Sequence, residues 1–153
     1  RRWKLGESDE IVNKKLKLTL IHELTPIVCI GEKYRKEDFQ KFLQGQVMST
    51  FAGLSFEQVE KCLIVYEPVW AISTTPGGKP DTPESALESV SIIKKILNTQ
   101  YKIQNNFFLY GGSVTSVNVR DFLSVNEISG VLVGGASLNK EEFSKILEIA
   151  SKI

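Results

Sequence analysis

Soft metal-ligating side chains are scarce in this sequence, which holds two cysteines and one histidine among 153 residues. Cys29 and Cys62 sit in separate apolar, strand-like runs, without the close spacing of a metal knuckle or a redox pair. They read as reduced core residues of a cytosolic protein, and no metal site is expected. An excess of either charge is also missing. Lys plus Arg number 19 against 18 acids, a net charge of +1, so no overall field favours nucleic acid or an anionic membrane surface. No apolar run is long enough to cross a bilayer, and no signal pattern precedes the first helical stretch. Low-complexity segments and interdomain linkers are absent too. What is present, 42% hydrophobic and 24% charged residues, is the composition of an ordinary soluble domain with a real core. The chain opens Arg1-Arg2-Trp3 without methionine, and reads as a piece of something longer.

Periodicity supplies the architecture. Ser8 can cap a helix with Asp9 and Glu10 in its first turn, where acids suit the helix dipole. Val12, Leu16, Leu20 and Leu24 then recur every fourth residue until Pro26, an apolar stripe. Ile27-Val28-Cys29-Ile30, ending at Gly31, reads as a strand buried on both faces. A second helix is expected from about 37 to 51, with Phe39, Phe42, Leu43 and Val47 on one side. Cys62 to Tyr66 is the next strand. Thr82-Pro83-Glu84 starts a third helix, with a capping hydroxyl and proline at the first position, and Ala86, Val90, Ile93 and Leu97 form its buried face. Phe107 to Tyr110 reads as a strand stopped by Gly111-Gly112, followed by a helix near 116–123. Val131-Leu132-Val133 reads as the fourth strand, stopped by Gly134-Gly135. Asn139 can cap a last helix that buries Phe143, Ile146, Leu147 and Ala150. Such alternation predicts an α/β fold, a parallel sheet covered by helices. Functional groups then belong at the C-terminal ends of the strands.

Those ends are distinctive. Tyr66-Glu67-Pro68 sets a carboxylate at one of them, held extended by the proline. Taken alone, Glu67 is as readily a surface carboxylate or half of an ion pair. Gly111-Gly112-Ser113 and Gly134-Gly135-Ala136-Ser137 set paired glycines at two others. There, backbone N–H groups can approach an anion such as phosphate. Strand termination is the plainer reading of one such pair, and the repetition in consecutive units argues against it.

The stretch Val65-Tyr66-Glu67-Pro68-Val69-Trp70-Ala71-Ile72 closely resembles the most diagnostic segment of the triosephosphate isomerase family. Family-like segments recur in family order at 1–9, at Val28-Cys29-Ile30-Gly31-Glu32, at Tyr110-Gly111-Gly112-Ser113-Val114 and at 130–138. The resemblance covers essentially the whole chain. It implies an eight-stranded TIM (βα)8 barrel, of which 1–153 supply roughly the last four βα units and one preceding helix, as the C-terminal part of a single domain. It implies isomerisation of dihydroxyacetone phosphate and glyceraldehyde 3-phosphate, with no cofactor, in a cytoplasmic homodimer. Glu67 would be the general base, and the segment from Val69 to about Lys79 a lid. The backbones of Ser73, Ser113, Gly134 and Gly135 would hold the substrate phosphate, and Cys29 and Glu32 would support the base.

Two departures qualify the resemblance. Residues 71–81 run about three residues longer than the usual lid, and Ser73 stands where glycine is usual. The family's catalytic histidine, and the asparagine and lysine of its first strand, have no counterpart in these residues. His22, late in an amphipathic helix, reads as a helix-surface residue and cannot replace that histidine. The missing N-terminal half of the barrel is therefore an expected partner, and the isolated piece is expected to be unstable or self-associating, and inactive. Two alternatives stand beside this reading. One is another phosphate-binding βα barrel, which lacks the segment around Glu67. The other is a non-catalytic phosphate-binding half-barrel or assembly module.

Overall fold

Four short runs of aliphatic and aromatic residues pair side by side. The computed structural model describes residues 1–73, 77–103 and 107–153. In it, β1 (Ile27–Ile30), β2 (Leu63–Tyr66), β3 (Phe108–Tyr110) and β4 (Gly130–Val131) form one sheet in the order β1-β2-β3-β4. Every pairing is parallel, with Ile30 beside Tyr66, Tyr66 beside Tyr110 and Tyr110 beside Val131. All C-terminal strand ends therefore share one rim. Helices α1 (Arg2–Leu5) and α2 (Asp9–Ile21) precede β1, and α3 (Phe39–Thr50) and α4 (Phe56–Glu60) connect β1 to β2. Helix α5 (Pro83–Tyr101) connects β2 to β3, α6 (Val119–Leu123) connects β3 to β4, and α7 (Lys140–Ala150) follows β4.

Alternate strand residues meet the helices. Val28, Ile30, Ile64, Tyr66, Phe108 and Tyr110 belong to one buried cluster with the inner faces of α3 and α5. The expected face of α5 is fully buried, from Ala86 through Val90 and Ile93 to Leu97. Its start is also as expected, with Thr82 Oγ1 accepting from the Ser85 N–H. Burial of β1 on both faces is not observed. Ile27 is 53% exposed and Cys29 half-buried. A closed barrel fills that second face with side chains from all its strands, which four strands do not supply.

Other differences have local causes. Helix α2 stops at Ile21, short of Pro26, because Glu23 turns left-handed at φ 57°. The Glu23 N–H bonds Leu20 O and the Leu24 N–H bonds Thr19 O, the bond pair of a Schellman ending. Leu24 thus leaves the stripe and is exposed, while Leu16 is buried and Val12 and Leu20 are half-buried. Phe42 turns from the core to stack on Trp3, with ring centroids 6.1 Å apart. Helix α4 was not expected. Ser55 and Gln58 cap it reciprocally, a capping box legible in Ser55-Phe56-Glu57-Gln58. Strand β4 shrinks to two residues, although the Leu132 N–H still reaches Tyr110 O at 2.8 Å. Strands β2 and β3 each start one residue later than expected, at Leu63 and Phe108, leaving Phe107 exposed. On α7, Ile146 is buried, Phe143 and Ala150 are half-buried and Leu147 is exposed.

Candidate active site

The end of β2 is fixed from both sides. The Glu67 N–H donates to Ile30 O at 2.8 Å, and the Gly111 N–H donates to Tyr66 O at 2.8 Å. Gly111 allows this approach. A Cβ there would lie 2.5 Å from Val65 Cγ1 and 3.6 Å from Glu67 Cβ. The side chain of Glu67 therefore leaves the backbone directly beside the first glycine corner on the rim.

Glu67 also borders a cavity of about 470 Å³ whose walls include Arg2, Lys15, Cys29, Gly31 and Val69. Burial raises its carboxyl above the ordinary carboxylate range, against the positive charge of Arg2, which pulls it down. Desolvation of this kind makes a carboxylate a stronger base. Burial, and after it the charge of Glu67, pushes the Cys29 thiol up to about 12. Cys29 is a neutral packing group at ordinary pH.

Ser73 and Ser113 are brought together. The Ser73 N–H donates to Ser113 Oγ at 2.6 Å, and the Ser113 hydroxyl donates to Ala71 O at 2.8 Å. Ser113 thus ties the start of the segment after Glu67 to the end of β3. Asn118 closes the next turn, its side-chain amide donating to Ser113 O and its Oδ1 accepting from the Thr115 N–H. Gly134 and Gly135 sit exposed at the end of β4, with nothing within 4 Å of where a Cβ would lie. They share the rim through the parallel order of the strands. Of the expected lid, residues 74–76 lie outside the described residues.

Glu32 is a buried hub, 2% exposed. Its Oε1 accepts from the Tyr66 hydroxyl at 2.9 Å and the Trp70 indole N–H at 2.9 Å, and its backbone carbonyl accepts from the Val69 N–H at 3.0 Å. It therefore holds the residues just after Glu67. Tyr66 and Trp70 stood inside the diagnostic segment, but nothing local announced their partner. Arg35, the cation paired with Glu32, was not singled out at all. It comes from a loop, and its acceptors are distant in sequence.

The parallel sheet and the alternating helices define a βα domain of the barrel-forming class, with a desolvated carboxylate at its strand ends. Comparison with known proteins narrows this. The family described as triosephosphate isomerase matches residues 1–150. The triosephosphate isomerase of Endomicrobium trichonymphae is 42% identical over 153 residues, covering 97% of this chain and 60% of that protein. That of Clostridium botulinum strain Loch Maree is 42% identical over 158 residues, covering 96% and 60%. That of Dictyoglomus thermophilum is 41% identical over 154 residues, covering 97% and 61%. The chain belongs to the triosephosphate isomerase family. It spans about 60% of the length of these curated relatives.

Proposed function

We propose that this chain supplies the proton-transferring carboxylate and the phosphate cradle of a triosephosphate isomerase, acting within a complete barrel. The observation that carries the reading is Glu67, which burial makes more basic and which lies beside the Gly111 corner. In this mechanism Glu67 removes a proton from the carbon beside the carbonyl of dihydroxyacetone phosphate. It returns that proton to the neighbouring carbon, giving glyceraldehyde 3-phosphate. The intermediate is an enediol, formed as the carbonyl oxygen gains a proton and resolved as the neighbouring hydroxyl loses one, so that the aldehyde forms when the carbon proton is returned. The electrophile that polarises the carbonyl, and the lysine that balances charge, come from residues outside these 153.

Backbone N–H groups at Ser73, Ser113, Gly134 and Gly135 bind the substrate phosphate in this reading. Support comes from the Ser73–Ser113 contact and from the open glycines after β4. The Ser73 N–H already has an acceptor in Ser113 Oγ, so phosphate must share or displace it. Cys29 and Glu32 support the base, Cys29 by packing and Glu32 by holding Val69 and Trp70. Residues 1–153 then form the C-terminal part of one barrel domain. The complete protein is a cytoplasmic homodimer in glycolysis and gluconeogenesis, using neither metal nor cofactor.

A coupled assay with glyceraldehyde 3-phosphate tests this. The full-length protein turns over, and Glu67→Gln lowers kcat by about 10²–10⁴-fold, the usual share of a general base. The isolated 153-residue chain gives no turnover above buffer. Full activity in Glu67→Gln would remove Glu67 from the reaction.

A further inference from the structure

Arg35 lies outside the site as described, yet its guanidinium donates to acceptors from a loop, a strand and a helix. Nη1 reaches Glu32 Oε1 at 3.2 Å, the Tyr66 hydroxyl at 3.4 Å and Ser89 Oγ at 2.6 Å. Nη2 reaches Ser85 O at 3.5 Å and the Glu88 carboxylate. The group also lies 3.6 Å over the ring of Phe39. A planar fork serves these divergent acceptors, whereas a lysine ammonium would serve only some of them.

The burial of Glu32 gives this clamp its consequence. Glu32 Oε1 has a full set of donors, while Oε2 has no hydrogen-bond partner among the described residues. A buried carboxylate in that state is stable as an anion only beside a cation. Arg35 is the cation hydrogen-bonded to it. Other ionisable groups around the pair are Tyr66, with Glu88 on α5 and Asp81 just before α5. Without Arg35, Glu32 would be a buried charge with no cation hydrogen-bonded to it and would turn toward water, and its bond to the Trp70 indole would weaken. Trp70 O in turn accepts from the Lys79 N–H at 3.0 Å, so Trp70 also holds Lys79.

We propose that Arg35 is a positioning residue for the Glu67 carboxylate. It locks Glu32 to α5, and Glu32 in turn locks Val69 and Trp70 and so sets the backbone direction at Glu67. This rests on the reading of Glu67 as the base, and the test separates the two.

In the full-length protein, the indole N–H resonance of Trp70 is followed by proton–nitrogen NMR and assigned by its loss in Trp70→Phe. Arg35→Leu is expected to speed solvent exchange of that N–H by about tenfold or more, as local opening grows. It is also expected to lower kcat about tenfold with little change in KM, a geometric rather than a binding loss. Arg35→Lys restores part of both, by keeping the charge without the fork. Should Arg35→Leu fail to fold, Ser89→Ala removes the 2.6 Å anchor without changing charge, and moves the same signal in the same direction. An unchanged Trp70 resonance and exchange rate in the variants would overturn the proposal. So would a lowered melting temperature with kcat intact. The indole signal needs no turnover, so an inactive wild-type protein would count against Glu67 as base and leave the clamp still testable.

Discussion

Replacing Gly31 by alanine adds one methyl group where β1 meets the rim. A Cβ at that position would lie 1.8 Å from Glu67 O and 2.4 Å from Glu67 C. Ordinary contact begins at 3.4 Å, so the two backbones must part by about 1.6 Å. Both atoms are main-chain, and no rotamer change relieves the clash. Gly31 cannot simply move away, because its N–H donates to Gln46 Oε1 at 2.7 Å on the buried side. Parting by that much also breaks the Glu67 N–H bond to Ile30 O. Overpacking of this kind costs roughly 1–3 kcal/mol, and the lost bond about 0.5–1.5 kcal/mol more. Displacing a reacting group by about 1 Å lowers turnover on the order of 10²-fold. Urea denaturation and kcat/KM of the full-length Gly31→Ala protein read both effects. Gly45→Ala is the matched control. Its Cβ meets nothing within 4 Å on an exposed face of α3, so it should gain about 0.5–1 kcal/mol from helix propensity. A Gly31→Ala protein as stable and as active as wild type would refute the contact that places Glu67.

Two further outcomes follow from the same geometry. Asn13 is buried, and its side-chain amide donates to Thr50 O at 2.8 Å and Ala52 O at 3.0 Å. Asn13→Ala leaves those carbonyls at the end of α3 without a donor and should cost about 1–3 kcal/mol in chemical denaturation. The folded protein holds the Glu67 carboxyl above its ordinary value of 4.5 because burial disfavours the charge. A group raised in this way contributes stability below its unfolded value and loses it as pH rises through its folded value. Glu67→Gln should therefore match wild type in stability below pH 4.5 and exceed it at pH 7, as thermal melts at both pH values would show.

Much of the fold was legible because its signals are local. The Thr82-Pro83-Glu84 start and the spacing of Ala86, Val90, Ile93 and Leu97 are properties of one helix, and both appear as read. The ending of α2 was not legible, because a glutamate at Glu23 adopts a left-handed turn usually left to glycine. The half-exposed β1 and the two-residue β4 reflect what surrounds them in a barrel, and no pattern within a strand encodes that. In the site, the position of Glu67 at a strand end was legible, but only the resemblance of the segment around it set it apart from a surface carboxylate. Arg35, Asn13 and Gln46 could not, since each is defined by partners across the fold.

The most direct test of Glu67 as a base at this rim is isotope exchange at the substrate carbon. Dihydroxyacetone phosphate is incubated in heavy water with full-length wild-type protein and with Glu67→Gln, and deuterium at the carbon beside the carbonyl is read by NMR. Wild type should incorporate deuterium, and Glu67→Gln should be slower by about 10²-fold or more. Equal incorporation by the two proteins would mean that another group takes the proton.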